Sequence, residues 1–455
     1  MLTLSAQQSK RQVDFIWACI LLLSFSIHWP DFGLVPISFL VGAVRFPRAY
    51  RALRTGRSLR PLLFMTALAL AVGAFLRFTI SDDVGTSADL FSAIEVGIWI
   101  LSMLVLSITG AYALGILGMR KGLMLFATSS LVGNWLYYGL YIPHDPETLW
   151  KYVVGYSISL IVILMAVRDR TPHVLGIIFV ATVLVVVSIS LGARSQALVI
   201  VIAALLALPR SGTGVSSKRG GVASHALMSL MAVLAAAFFL ATAMQQDWFG
   251  NQLQQVYERQ TAHGNGLLLG GRTESAATFQ LFQMHVVGFG LGTRPSDGFL
   301  RQAVGAVARA GGAYMGPYYP TVVFGRRVDL HSMAADLWFH AGFGGLALVV
   351  CIGIILVSGS LCASRNPSSI GFVCQLLIWQ AIWDLGFSPM GNIDRLCAGL
   401  MVAIAVLHSC DHGVNLLPPS VRKPVDPQDA HPARLGRPGR DDDLRFPESS
   451  GEPAT

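Results

Sequence analysis

Residues 174–208 read VLGIIFVATVLVVVSISLGARSQALVIVIAALLAL, and their only charged residue is Arg194. An apolar run at 174–191 and a second at 197–208 flank a turn that carries Gly192, Ala193 and Arg194. A helix needs about 20 apolar residues to cross roughly 30 Å of hydrocarbon. A bilayer leaves no solvent partner for open backbone, so such runs read as membrane helices joined by a tight turn. The pattern recurs along most of the chain. Of 455 residues, 53% are hydrophobic and 13% charged, with a mean hydropathy of +0.58. A soluble domain carries roughly a quarter charged residues, and the short alternating strands of a membrane barrel are missing from the pattern.

The expected fold class is all-α: a polytopic membrane helix bundle of about 12 transmembrane helices with one long, partly helical outer loop. The spans centre on 15–29, 34–44, 61–78, 91–114, 123–141, 153–167, 174–191, 197–208, 227–244, 332–358, 370–387 and 396–407. Residues 1–244 carry the first nine, 245–330 form the outer loop with the candidate active site, and 331–410 carry the last three. Residues 411–455, rich in Pro, Gly and charge, read as a disordered cytoplasmic tail. The first run follows Lys10 and Arg11 without a small-residue cleavage site after it, so it reads as a membrane helix rather than a signal peptide.

The net charge of +8 does not point to nucleic acid, because the basic residues sit in short connections between apolar runs. Arg45, Arg48, Arg51, Arg54, Arg57 and Arg60 fill one connection; Arg120 with Lys121, Arg168 with Arg170, and Arg210 with Lys218 and Arg219 fill others. The alternate connections are neutral or acidic, as at Asp82 and Asp83 or Asp145 and Glu147. Basic connections stay cytoplasmic, which places both termini inside and residues 245–330 outside. The 45–60 run alternatively suits anionic lipid or an acidic partner. Six cysteines lie in or beside apolar runs without a CxxC pair, so neither a disulfide framework nor a zinc site is indicated.

A polar loop of this length is rare in a compact membrane protein unless it folds and works. Its cations are all arginine: Arg259, Arg272, Arg294, Arg301, Arg309, Arg326 and Arg327. A guanidinium grips phosphate through paired hydrogen bonds and stays charged near lipid. The plainer reading is that each pairs with a loop carboxylate such as Glu274 or Asp329. Residues 276–287 suit an amphipathic helix on the membrane surface. Gly288, Gly290 and Gly292 then allow a tight turn or close approach to a ligand; no strand precedes them and no Lys-Ser/Thr follows, which argues against a nucleotide loop.

His331 stands where the chain turns apolar again. An imidazole there can take a proton from a sugar hydroxyl, although a lone interfacial histidine is more often structural. Arg326 and Arg327 precede it, and Gly342 and Gly345 follow in the next helix, where small residues favour close packing. Asp336 and His340 share a helix face and could pair, but two candidate ligands are too few for a metal. No cofactor is expected. Arg194, in its short outward turn, is costly without an anionic partner, protein or ligand. Glu95 and Asp384, near the outer ends of their helices, suit either a substrate or proton site or an ion pair with arginine.

Three segments, in order, resemble motifs of the O-antigen ligase and O-antigen polymerase superfamily. These are bacterial membrane glycosyltransferases that use polyprenyl-pyrophosphate-linked glycans. Gly192-Ala193-Arg194-Ser195-Gln196-Ala197 is similar to the family's Ser-Arg-x-Ala helix opening. Gly271-Arg272 with Gly288-Phe289-Gly290-Leu291-Gly292 is similar to its arginine and Gly-x-Gly segment. His331-Ser332, with Gly342 and Gly345 downstream, resembles its His-Asn/Ser motif. The chain departs from the pattern at Ala193, Ala276, Val286 and His340, where the family favours serine, an aromatic, proline and an acidic residue.

The resemblance implies an inverting, metal-independent transfer on the outer face of a bacterial cytoplasmic (inner) membrane. Arg194 and Arg272, with Arg326, Arg327 and the glycines 288, 290 and 292, would hold the undecaprenyl pyrophosphate donor, and His331 would activate the acceptor hydroxyl. Flippase and chain-length regulator proteins are the implied partners beside the bilayer and the lipid-linked glycan. The departures favour a polymerase of surface or exopolysaccharide repeat units over a ligase that moves finished glycan to a lipid acceptor. A secondary transporter is the alternative of a different class, but it would gather its polar groups near the bilayer midplane.

Overall fold

The structure is a computed structural model. It describes residues 2–25, 27, 36–54, 56, 58–87, 90–138, 145–166, 174–208, 274–310, 323–324, 328–365, 369–390 and 394–409, with single positions at 227, 231, 234, 238, 242 and 258. In chain order these form α1 (Leu2–Ser24), α2 (Ile37–Leu53), α3 (Leu59–Thr79), strand β1 (Gly85–Ser87), α4 (Leu90–Leu117), α5 (Met119–Tyr138) and α6 (Pro146–Leu149). A π-helical turn at Trp150–Val154 leads into α7 (Gly155–Ala166), followed by α8 (Val174–Ser190) and α9 (Arg194–Ala207). The second half contributes α10 (Glu274–Met284), strand β2 (Thr293–Pro295), α11 (Asp297–Arg309), α12 (Met333–Arg365), α13 (Ser369–Phe387) and α14 (Asp394–Ser409).

Among the described residues, four helical stretches are long and apolar enough to cross a membrane: Leu59–Thr79, Leu90–Leu117, Met333–Ser364 and Ile370–Phe387. Gly155–Ala166, Val174–Ser190, Arg194–Ala207 and Cys397–His408 are equally apolar in kind but shorter. Twelve full crossings are more than these helices account for. The expected span at 227–244 is described only at five single positions, and the basic connections at 168–170 and 210–219 and the tail at 411–455 lie outside the described residues.

The arginine run at 45–60 is mostly helical rather than a connection. α2 continues to Leu53, so Arg45, Arg48 and Arg51 are helix residues, and Arg60 already belongs to α3. Arginine is a good helix former, and Arg51 in the last turn meets the negative end of the helix dipole. α1 likewise begins well before the expected apolar span. Arg48 reaches Asp14 on α1 in an ion pair, and the hydroxyl of Tyr112 on α4 donates to the same carboxylate at 3.5 Å. That cluster ties three helices at one end of the bundle.

α4 is the central helix, buried along most of its length. Small residues let its neighbours approach. Gly42 of α2 lies against Val105 and Thr109, and Gly399 of α14 against Met103 and Leu106. α3 and α12 meet in the same way, through Gly344 against Leu68 and Ala69. With no water to drive apolar faces together, this close backbone contact is what holds membrane helices.

The opposite end is organised differently. β1 and β2 pair antiparallel, Gly85 facing Pro295 and Ser87 facing Thr293. Ser296 donates its hydroxyl to the carbonyl of Asp83 at 2.8 Å and its N–H to Val84. α10 and α11 pack through Ala277, Leu281, Ala303 and Val307 into a second hydrophobic core that includes Phe289, Phe324, Leu330, Trp338 and Phe339. Where a helix is expected over 276–287, α10 runs from Glu274 to Met284 and ends three residues earlier. α11 was not anticipated, although Ser296 before Asp297 and Arg309 in the last turn are ordinary helix-end signals.

Candidate functional site

The glycine segment after α10 settles the architecture of this end. Gly288, Gly290 and Gly292 all adopt positive φ, at 88°, 102° and 63°. A Cβ on each would lie 2.8 Å from the Cα of Gly342, Arg77 and Ala93 respectively, so the segment rests directly on the backbones of α12, α3 and α4. α12 is itself broken at Gly342, with φ 53° and ψ −139°. In an unbroken helix the carbonyl of Phe339 would accept from residue 343. Here it accepts the N–H groups of Phe289 at 2.7 Å and Gly290 at 3.2 Å. Leu291 donates to Gly73 at 3.0 Å, and Arg77 Nη1 donates to Leu291 O at 2.9 Å. These glycines are packing contacts with the helices and are not among the residues lining the cavity described next.

That cavity, about 680 Å³, is lined by α10, the first turns of α12 and the end of α13. Its walls are mainly apolar, with Phe279, Phe282, Trp338, Leu346 and Phe387, and its polar groups are Glu274, Ser275, Thr278, His331 and Ser332. Trp338 is oriented by a 2.9 Å bond from its Nε1 to Val286 O. The lining runs from His331 and Ser332 through Ala334, Ala335 and Trp338 of α12 to Leu346 beyond the break at Gly342. The result is a mainly apolar cavity with a few polar side chains in its wall.

His331 is one of these polar residues. It is the one non-glycine residue with positive φ among those described, at 56°. Such a conformation persists only where the surroundings over-determine it. Its N–H donates to Asp329 Oδ1 at 3.1 Å, and its Nδ1 lies 3.3 Å from Asp329 O. A carbonyl only accepts, so in this contact the ring donates from Nδ1, and Nε2 carries the lone pair of the neutral ring. Asp329 itself is held by its N–H to Val323 O at 2.8 Å, beside the isolated bridge between Phe324 and Val328. Ser332 caps α12 by accepting from the Ala335 N–H, and its hydroxyl donates to Leu385 O at 3.2 Å.

The other candidates fall in distinct places. Arg272, Arg326 and Arg327 lie outside the described residues; in sequence, Arg272 precedes the cavity residue Glu274 by two positions. Arg194 opens α9, half-buried, and interacts electrostatically with Glu147. Glu147 also sits on Gly192, where a Cβ would collide with its carboxylate. The anionic partner that Arg194 requires is thus supplied within the protein. Leu198, one turn further, belongs with Ile202 and Leu206 to a small core against which Trp383 of α13 packs, and the Trp383 and Phe387 rings are 4.5 Å apart. Since Phe387 lines the cavity, α13 connects the Arg194 end of α9 to the His331 site.

Asp336 and His340 do not pair. Asp336 accepts two backbone N–H groups, from Leu330 and Met390, and His340 lies between the carbonyls of Gly290 and Val328 at 3.4 and 3.3 Å. Asp384 accepts from Gln380 and Ser388, each at 2.8 Å. Glu95 is fully buried on α4. His285 packs against the rings of Phe289 and Phe299, and burial there pushes its pKa down, which favours the neutral ring. No group of three or more His, Cys, Asp or Glu side chains that could hold a metal comes together among the described residues. Residues beyond the sequence expectation are Ser275, Thr278, Phe282 and Trp338, which only the folded cavity unites. Comparison with known proteins returns no match, whether to a protein-family profile, a curated protein or a solved structure.

Proposed function

We propose that the protein is a multi-pass membrane glycosyltransferase that polymerises undecaprenyl-pyrophosphate-linked oligosaccharide units on the outer face of a bacterial cytoplasmic membrane. In this reading the chain crosses about twelve times with both termini inside. The observation that carries it is His331 in the wall of a mainly apolar cavity of about 680 Å³, where Phe279, Phe282 and Trp338 offer an apolar surface suited to isoprenoid chain. A lipid-linked donor has a hydrocarbon tail, then a charged pyrophosphate and a sugar.

His331 Nε2 takes the proton of the acceptor hydroxyl as its oxygen attacks the anomeric carbon. The bond from that carbon to the pyrophosphate oxygen breaks, and polyprenyl pyrophosphate leaves with the electron pair. Negative charge grows on the leaving group, so fixed arginines lower the barrier most. Arg272 is assigned that task beside Glu274, with Arg326 and Arg327 near His331 in sequence. Arg194 contributes where the phosphate displaces or shares Glu147. Donor and acceptor held in one membrane plane add the advantage of proximity.

A ligase would use the same geometry with a finished glycan and a lipid acceptor. Deletion of the gene separates the two: a product ladder that collapses to one repeat supports a polymerase, whereas full-length lipid-linked polymer stranded without acceptor supports a ligase. Complementation with His331→Ala, at equal membrane insertion, is expected to give no surface glycan and to accumulate lipid-linked precursor. Normal glycan from that variant would refute the assignment, and substrate-driven ion uptake indifferent to it would favour a transporter.

A further inference from the structure

Two segments distant in the chain meet on one carboxylate. Asp336, in the first turn of α12, is 1% exposed. Its Oδ1 accepts the N–H of Leu330 at 2.7 Å and its Oδ2 accepts the N–H of Met390 at 2.8 Å. Leu330 immediately precedes His331. Met390 closes the turn after α13, whose Gly386 and Phe387 form one wall of the cavity. A buried backbone N–H costs free energy unless it is hydrogen-bonded, so each of these bonds holds its segment in place. This one group therefore fixes both the turn that carries the imidazole and the wall facing it. Asp329 and Ser332 restrain the same turn, and Ser332 also donates its hydroxyl to Leu385 O of α13.

We propose that Asp336 is a positioning residue for His331, holding it in its left-handed backbone conformation in the cavity wall. The proposal rests on the reading of His331 as the group that acts on substrate. Asp336→Asn is a sharp probe: one amide oxygen still accepts, but the amide NH₂ then faces a backbone N–H, so one of the two bonds is lost.

The test uses the full chain in bacterial-lipid nanodiscs. The rate at which diethyl pyrocarbonate modifies His331 is followed by mass spectrometry from about pH 5 to 8, where imidazole titrates. In parallel, kcat and KM are measured with a polyprenyl-pyrophosphate oligosaccharide. For Asp336→Asn the expected result is a several-fold change in His331 modification. kcat should fall about 100-fold, the order expected for a misplacement near 1 Å, while donor KM stays within about threefold. An unchanged modification rate and pH profile in folded variant protein overturns the proposal. Altered modification in a protein whose wild type turns over no donor sustains the positioning role and sinks the reaction instead. If the variant does not fold, hydrogen exchange in the wild type decides: the Leu330 and Met390 amides are expected to be protected, and rapid exchange at either overturns it.

Discussion

The two ends of this molecule are held by different parts of the chain. The bundle around α4 is held by side chains and by close helix approach, with Asp14, Arg48 and Tyr112 joining α1, α2 and α4. The end that carries His331 is held largely by backbone. The Phe339 carbonyl, freed by the break at Gly342, takes the glycine segment, and the Asp336 carboxylate takes Leu330 and Met390. Side-chain packing tolerates substitution by repacking, whereas backbone resting on backbone leaves nothing to adjust. The site end should therefore be brittle where the bundle is forgiving.

The sharpest way to break that contrast compares two glycine substitutions. Gly290→Ala places a methyl group against the Arg77 backbone at φ 102°. It is expected to cost at least about 3 kcal/mol from strain and overlap together, seen as loss of folded, extractable protein. Gly353→Ala, with nothing within 4 Å of the added atom, should leave the melting temperature unchanged or higher. Equal behaviour of the two would erase the distinction.

A second test separates strain from chemistry at His331. His331→Gly relieves about 1 kcal/mol of backbone strain while removing the base, so transfer should vanish without a fall in melting temperature. At the far end, Arg48→Ala strands a carboxylate whose side chain is 8% exposed, against 39% for the arginine. Discounted for that exposure, it should destabilise by about 2 kcal/mol and leave turnover per folded molecule intact. The smallest effect is expected at Arg194. Glu147→Gln removes the competing carboxylate, so donor KM should fall about two- to fivefold, consistent with a weak and partly screened interaction.

How much of this was readable in advance follows the same division. Apolar runs marked α3, α4, α12 and α13 because span length and composition are local properties. The amphipathic pattern marked α10 for the same reason. Arg45, Arg48 and Arg51 misled because charge density suggests a connection, while arginine is content in a helix. His331 and Arg194 stand out in sequence as residue types in unusual places, and of the two His331 lines the cavity. The partners of Asp336 could not be foreseen, since its bonds join Leu330 to Met390 across the chain. The glycines at 288, 290 and 292 were recognised as permissive, but whether they face a ligand or a helix depends on where Gly342 breaks α12. The cavity itself is assembled from three helices and has no linear signature.

The central claim is that His331 acts on a lipid-linked glycan bound in that cavity. The direct measurement is the rate of polyprenyl pyrophosphate release from a purified polyprenyl-pyrophosphate oligosaccharide, by wild type and His331→Ala reconstituted at equal density. Loss of a general base is expected to slow release by about 10²- to 10⁴-fold, with the folded fraction unchanged. Release at the wild-type rate from His331→Ala would contradict the claim.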